Sequence, residues 1–366
     1  MSLARLYSAI FLYSVILMTL VMSSSVRNKN ALQIKAGSRN FLPALLITII
    51  AAFFIGQRPP TYAFADTGNY AYVFRMYAEK MFNIAGDEGE WLWAKFTYYC
   101  SQTVDISTYF TFVSIGYFGF LLLACRRLMP NNVLAAVLFN FGAFSFYSYS
   151  FNGIRNGLAC SIILFVLALA SGDKKDKILA LILGILATAI HKSVMLPFVM
   201  MIASMYFVKS FKWAYFFWIG SIAISLVAGG FVENLFTGLG FDDRLDSYIS
   251  NAEEYATRGF KTGFRWDFLL YSMMPIILGY YVVIKRGIKD KTYLLLLNTY
   301  TLSNAFWVML IRASYSNRFA YLSWFMYPMV LAYPLLKLDI WGEDQGKRMN
   351  QIMLAHVGFT WIMSLI

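Results

Sequence analysis

Apolar stretches of about 20 residues, the length that crosses a bilayer as a helix, recur from one end of this chain to the other. Inside hydrocarbon every backbone N–H and C=O must find its partner within the protein, which leaves only helices or closed barrels. The stretches are continuously apolar and not alternating, so the chain is expected to be an all-α integral membrane protein. About twelve candidate spans lie near residues 3–22, 41–57, 107–125, 133–150, 156–171, 177–190, 193–208, 213–236, 267–284, 292–311, 319–336 and 350–366. The spans at 177–190 and 193–208 are short and abut at His191, as a tight hairpin or a broken pair, so the count is about ten to twelve. The first run carries Arg5 but no basic leader and no small-residue cleavage pattern, and reads as a retained helix. With 59% hydrophobic and 14% charged residues, residues 1–366 are expected to form a single polytopic membrane domain.

The distribution of lysine and arginine orients the bundle, because short cytoplasmic connections collect them. Arg27, Lys29, Lys35 and Arg39 lie in the first connection, and Arg126 with Arg127 two connections later. The alternation continues through Lys174, Lys175 and Lys177, then Lys209 and Lys212, then Lys285, Arg286, Lys289 and Lys291, and finally Lys337, Lys347 and Arg348. These connections are expected to be cytoplasmic, with both termini outside the cytoplasm. The net charge of +12 is then largely a topology signal, and nucleic acid is not expected as a partner.

The outward connections should be poor in basic residues, yet they hold Arg155, His191, Lys192, Arg312 and Arg318. A snorkelling side chain at a helix end would account for any one of them. Their gathering at one face points instead to a site for an anion.

Two long outward loops are expected at 58–106 and 237–266. In the first, Pro59 and Pro60 stop the preceding helix. Asp66 stands where an N-cap would open an amphipathic helix with Tyr70, Val73, Phe74 and Tyr77 on one side. Trp91, Trp93, Tyr98 and Tyr99 suit the headgroup level of a membrane and also suit sugar rings, belt being the commoner role. The second loop mixes both charge signs and reads equally as a lid, an acceptor-binding loop or an inert connection. Cys100, Cys125 and Cys160 have no metal or redox spacing, and a disulfide framework is not indicated. His356 falls within the last span and reads as a packing or helix–helix polar contact.

The segment FNGIRNGLA at 151–159, followed by ATAIHKSVMLP at 187–197, resembles the EpsG-like group of Wzy-type polysaccharide polymerases, whose members carry an N-G-I-R-Q segment and a downstream H-x-S segment. Asn156 stands in place of the usual Gln, and Lys192 fills the variable position between His191 and Ser193. Arg58 and Asp66 to Tyr70 match a first-loop Arg and D-Y-x-x-Y pattern loosely, without the Tyr directly after Asp. Asn317, Arg318, Phe319, Tyr327 and Pro328 match a late N-R-F/Y segment. The resemblance implies a membrane glycosyltransferase that joins oligosaccharide repeat units carried on undecaprenyl pyrophosphate, at the outer face of a bacterial cytoplasmic membrane. The product would be exopolysaccharide, capsule or O-antigen. Lipid-linked donor and acceptor would be its partners in the bilayer, with a chain-length regulator as a further partner.

The residues fit that chemistry. Pyrophosphate is a good leaving group, so the main demand is for positive charge where negative charge grows. Arginine offers a fork matched to phosphate oxygens and stays charged. Arg155 and Arg318 lead the candidates, with Arg312, Arg58 and Lys192 next. His191 is the candidate base for the acceptor hydroxyl, with Asp66 in competition. Asn152, Asn156, Ser193, Tyr70 and Asn317 are candidates to support substrate or structure. No metal or other cofactor is expected, since no acidic pair with metal spacing falls at this face. A flippase for the same lipid would need ionisable groups in mid-membrane, where these spans carry few. A membrane acyltransferase would need a base facing a cytoplasmic acyl donor. A polysaccharide ligase differs only in its acceptor, and stays open.

Overall fold

A computed structural model of the chain describes residues 2–37, 40–82, 90–238, 263–312 and 316–365, with backbone alone over 231–238. Every regular element among the described residues is helical. Among the described residues, five helical segments are long and apolar enough to cross a membrane: Leu3–Val26, Ile106–Leu128, Phe211–Gly230, Trp266–Lys285 and Ser316–Lys337. Phe41–Gly56, Ile154–Ala170 and Lys192–Tyr206 are shorter apolar helices.

Several expected spans are interrupted. The stretch at 133–150 breaks into Val133–Phe141 and Phe146–Phe151, where Asn140 turns its side-chain amide onto the Ala136 carbonyl at 2.8 Å and the chain bends through Gly142. The stretch at 267–284 is helical over Trp266–Ser272, restarts at Met274–Gly279 around Pro275, and finishes in a π-helical turn at Tyr280–Lys285. Proline has no N–H to give, so a continuous ladder is lost there. At His191 the backbone is extended, and the chain passes through a 3₁₀ turn, Lys192–Val194, before the next helix.

The chain groups into two compact units, residues 1–195 with 332–366, and residues 196–331. In the first unit, α1 (Leu3–Val26), α2 (Ala31–Ala36), α3 (Phe41–Gly56), α4 (Thr67–Ala78), α5 (Trp91–Thr103), α6 (Ile106–Leu128), α7 (Val133–Phe141), α8 (Phe146–Phe151), α9 (Ile154–Ala170) and α10 (Lys174–Ile190) follow in order. Helix α3 packs on α6, α6 on α9, and α9 on α10, while α5 lies against α4 and α10. The C-terminal helix, Gln345–Met363, packs on α1, and His356 shares a hydrogen bond with the Phe139 carbonyl at 2.9 Å, the helix–helix contact expected of it.

Hydrogen bonds tie together connections that share the expected cytoplasmic face. Asn132 donates to the Ile34 carbonyl at 2.8 Å, and the Gly346 N–H to the Lys29 carbonyl at 2.9 Å. Arg127 pairs with Asp176, which also closes a capping box with Asp173 at the start of α10.

The expected first outward loop is largely helical, formed by α4 and α5, with 83–89 outside the described residues. Asp66 precedes α4 but does not cap it: its own backbone is already αR, so its carboxylate cannot turn back to the first-turn N–H groups, and it takes the Asn69 amide instead. The buried stripe is Thr67, Gly68, Ala71, Phe74 and Tyr77, with Tyr70 and Val73 only half-buried at its edge. Trp93 is buried against Tyr70, Phe96 and Tyr109, while Trp91 and Tyr99 are exposed. Of the expected second loop, 239–262 lie outside the described residues.

In the second unit, α11 (Met195–Tyr206), α12 (Phe211–Gly238), α13 (Trp266–Ser272), α14 (Met274–Gly279), α15 (Lys291–Met309) and α16 (Ser316–Trp324) follow. Helix α15 packs on α12 and α16. A buried polar chain joins all three: Trp218 Nε1 donates to Asn304 Oδ1 at 2.8 Å, and Asn304 Nδ2 to Ser323 Oγ at 3.0 Å. Asn298 Nδ2 closes on the Val208 carbonyl at 2.8 Å. In an apolar interior such groups must pair with one another, which fixes the helix register.

Candidate functional site

The segment Asn152-Gly153-Ile154-Arg155-Asn156-Gly157 forms a turn into α9, and each position has a physical task. Asn152 Oδ1 accepts the Asp66 N–H at 3.4 Å. Gly153 sits at φ 74°, a left-handed conformation that costs glycine nothing. Ile154 is buried and anchors the first turn. Asn156 donates from Nδ2 to the Tyr149 hydroxyl at 3.1 Å and accepts from Cys160. Gly157 lets the helix close on α8, since a Cβ there would stand 2.6 Å from the Tyr149 carbonyl oxygen.

Antiparallel packing of α9 and α10 brings Arg155, in the first turn of α9, to the end where α10 stops at His191. Between them lies Glu90, directly before α5. One Glu90 oxygen, Oε2, pairs with Arg155 Nη1; the other, Oε1, takes His191 Nδ1 and also accepts the Lys192 backbone N–H at 3.1 Å. The Glu90 side chain is 10% exposed, those of Arg155 and His191 19% and 20%: the carboxylate is enclosed, while its partners reach solvent. Burial pushes the Glu90 carboxyl up, but the His191 hydrogen bond and charge, Arg155 and the Lys192 N–H outweigh it, and the group is held below its ordinary value. Tyr70, from α4, closes a further side. Burial raises its phenol, while the Arg155 guanidinium and backbone N–H pull it down.

Glu90 was not among the residues singled out from the sequence. Its signal is spacing: Glu90, Trp93, Ala94 and Thr97 recur at helical intervals and are all buried. Glu90 stands three and four residues before Trp93 and Ala94 and so continues the apolar stripe of α5, while the neighbouring acids Asp87 and Glu88 lie outside the described residues. A charged residue on the buried stripe of an amphipathic helix needs a partner.

Arg58 takes a different position from the one expected for a substrate ligand. It is 1% exposed, with Nη1 donating to the Ile55 carbonyl at 2.9 Å and Nε to the Thr67 hydroxyl at 3.0 Å. Its guanidinium lies 4.5 Å from the Phe110 ring centroid. Burial lowers its pKa to about 10, partly offset by facing tyrosines, so it stays charged at neutral pH. The Thr67 hydroxyl in turn donates to the Phe151 carbonyl at 2.9 Å. Pro59 and Pro60 follow directly, and turn the chain so that Arg58 points inward.

Asp66, Tyr70, Asn152, Arg155, Asn156, His191, Lys192 and Ser193 thus belong to the first unit, Lys192 with an exposed side chain and Ser193 with a buried hydroxyl. Arg312, Asn317 and Arg318 belong to the second. There Arg312 is exposed, its Nη1 reaching the Ser225 carbonyl at 3.5 Å, and Arg318 is exposed in the first turn of α16. Tyr327 stacks on Tyr271 with ring centroids 4.5 Å apart. Among the described residues, no three His, Cys, Asp or Glu side chains gather as a metal site, and the three cysteines are buried and free.

A family model described as the EpsG family matches residues 40–346. The chain belongs to the EpsG family. The EpsG match opens just before α3 and ends at the first turn of the C-terminal helix, so it takes in every residue of the cluster around Glu90 as well as Arg312 and Arg318. Its apolar helices make this EpsG protein a multi-pass membrane protein. No curated protein and no solved structure matches the chain.

Proposed function

We propose that this EpsG-family protein is a metal-independent membrane glycosyltransferase, which polymerises oligosaccharide repeat units carried on undecaprenyl pyrophosphate at the outer face of the bacterial cytoplasmic membrane. The observation that carries this reading is the joining of Arg155 and His191, through one buried carboxylate, at the same end of a single helical hairpin. An acceptor hydroxyl on one repeat unit attacks the anomeric carbon of another. The new glycosidic C–O bond forms as the bond to pyrophosphate breaks, the lipid pyrophosphate departs with the electron pair, and the hydroxyl proton passes to His191. Arg155 meets the charge that grows on the departing phosphate. Arg318 and Arg312 are further phosphate ligands in this reading, and Asp66 is the competing base. Arg58, enclosed and hydrogen-bonded, supports the NGIR turn and does not touch the substrate.

The expected topology, about twelve crossings with the termini outside, is part of the same proposal. Its support is that the lysine- and arginine-rich connections of the first unit are tied to one another, while the cluster around Glu90 forms at the opposite ends of the same helices. Incubating the purified protein in proteoliposomes with an undecaprenyl-pyrophosphate-linked repeat unit tests the reading: a ladder of products spaced by one repeat is expected. Transfer of lipid-linked sugar across the bilayer with no ladder would make the protein a transporter and overturn it.

A further inference from the structure

We propose that Glu90 is the positioning residue of this site: it fixes His191 as the Nδ1–H tautomer, so that Nε2 carries the free lone pair, and with its other oxygen it holds one arm of Arg155, setting base and cation at a fixed separation. This inference rests on the reading above.

An ionised carboxylate accepts hydrogen bonds and donates none. Oε1 of Glu90 already accepts the Lys192 N–H, and Oε2 faces a guanidinium that has only donors. The neighbours that hold the carboxyl in its ionised form are therefore the same groups that leave His191 one role at Nδ1, that of donor. Among the described residues, the other charged or titratable groups around the pair are Tyr70 and Asp66 from the α4 side and the Lys192 side chain beyond His191. A neutral imidazole that donates from Nδ1 presents its second nitrogen as a base. Arg155, engaged by Glu90 through Nη1, keeps Nε and Nη2 for phosphate oxygens, and these form the side-on edge of the fork. The pairing also explains why a loop residue is buried at all: α5 is anchored to the α9–α10 hairpin by the same contact that orients the chemistry.

The chain has two histidines, which makes the tautomer directly readable. Protein labelled with [15N]histidine in nanodiscs, with His191→Gln used for assignment, is examined by long-range 1H–15N correlation at a pH where the ring is neutral. The native protein is expected to show His191 protonated at Nδ1. In Glu90→Gln, the nearly isosteric amide can turn its NH2 toward the ring, and the signal should move to the Nε2–H tautomer. In the proteoliposome assay Glu90→Gln is expected to lower kcat by about 10-fold or more, with KM changed less than about threefold, while Glu90→Asp restores part of the rate. A native His191 protonated at Nε2, or a tautomer unmoved by Glu90→Gln, overturns the assignment and leaves the glycosyltransferase reading standing. A shifted tautomer with an undiminished kcat overturns the catalytic role. If the native protein makes no ladder, the glycosyltransferase reading fails, and the tautomer spectrum still decides the structural half of the proposal.

Discussion

The Thr67 hydroxyl accepts the Arg58 Nε–H at 3.0 Å and passes its own proton to the Phe151 carbonyl at 2.9 Å. One oxygen thereby clips the C-terminal end of α3 and the N-terminal end of α4 to the turn that carries Asn152 and Arg155. Thr67→Val keeps the shape and removes both bonds, leaving a buried guanidinium N–H and a buried carbonyl unmet. A loss of about 2–4 kcal/mol is expected from two such groups, read as a lower apparent melting temperature in detergent. Thr67→Ser should retain most of the stability, and equal melting of the Val and Ser variants would dismiss the clip.

Arg155→Ala and Arg155→Lys separate charge from geometry. If the fork faces a pyrophosphate, Ala should reduce elongation by about 100-fold, and Lys should recover little of it, because an ammonium lacks the paired donors. Polymer length in cells, normalised to the amount of protein in the membrane, gives the answer. Polymer of normal length in the Ala variant would remove Arg155 from the chemistry.

Glu90 also makes a pH prediction. Its carboxyl is held below the ordinary value of 4.5 in the folded protein. The stability it contributes is therefore fully present above 4.5 and is lost as pH falls through the lowered folded value. Glu90→Gln should melt below the wild type from pH 7 down to the ordinary carboxyl range, and the gap should close beneath it. Thermal scans across pH 3 to 7 supply the comparison, and a gap that went on widening below the ordinary carboxyl range would contradict the ion-pair account.

Gly157→Ala places a methyl group 2.6 Å from the Tyr149 oxygen, where the backbone of α8 must yield. The expected cost is about 1–3 kcal/mol, together with a displaced NGIR turn. Cys160, three residues on along α9, should lose its shielding in that variant, so the rate of thiol modification in native membranes tests the displacement without any activity assay.

Orientation can be read from single cysteines, because all three native thiols are buried. Lys192→Cys and Lys175→Cys place new thiols at exposed positions at opposite ends of α10. An impermeant maleimide added to intact cells should label position 192 at once and position 175 only after the membrane is opened. The reverse pattern would invert the topology and place the site in the cytoplasm.

Much of the architecture is legible from hydropathy alone, because a bilayer forces long apolar helices and sorts basic connections to one side. Arg155 and His191 were visible for the same reason, as basic residues in connections expected on the side that ordinarily lacks them. Glu90 was not. It contacts His191 across 101 positions of sequence, and nothing local marks it for burial except its place on the α5 stripe. Arg58 was visible as a cation but not as an enclosed one, since its burial depends on Phe110 and on the way Pro59 and Pro60 turn the chain. The break at 133–150 and the irregular turns inside the span Trp266–Lys285 escaped notice because a polar side chain or a proline leaves mean hydropathy almost unchanged.

The contacts that complete the site are all distant in sequence: Thr67 to Phe151 spans 84 positions and Glu90 to Lys192 spans 102. Helices enter a membrane as independently stable pieces and associate afterwards. During synthesis, then, α5 must wait until α9 and α10 have been inserted before Glu90 acquires its partners. Until that moment a carboxylate destined for burial is unpaired, and the nascent chain is held open at one face. Assembly of this end of the first unit is in this sense a late, all-or-none event, and truncations ending before His191 should be recognised by membrane quality control as incomplete, even with most of their helices in place.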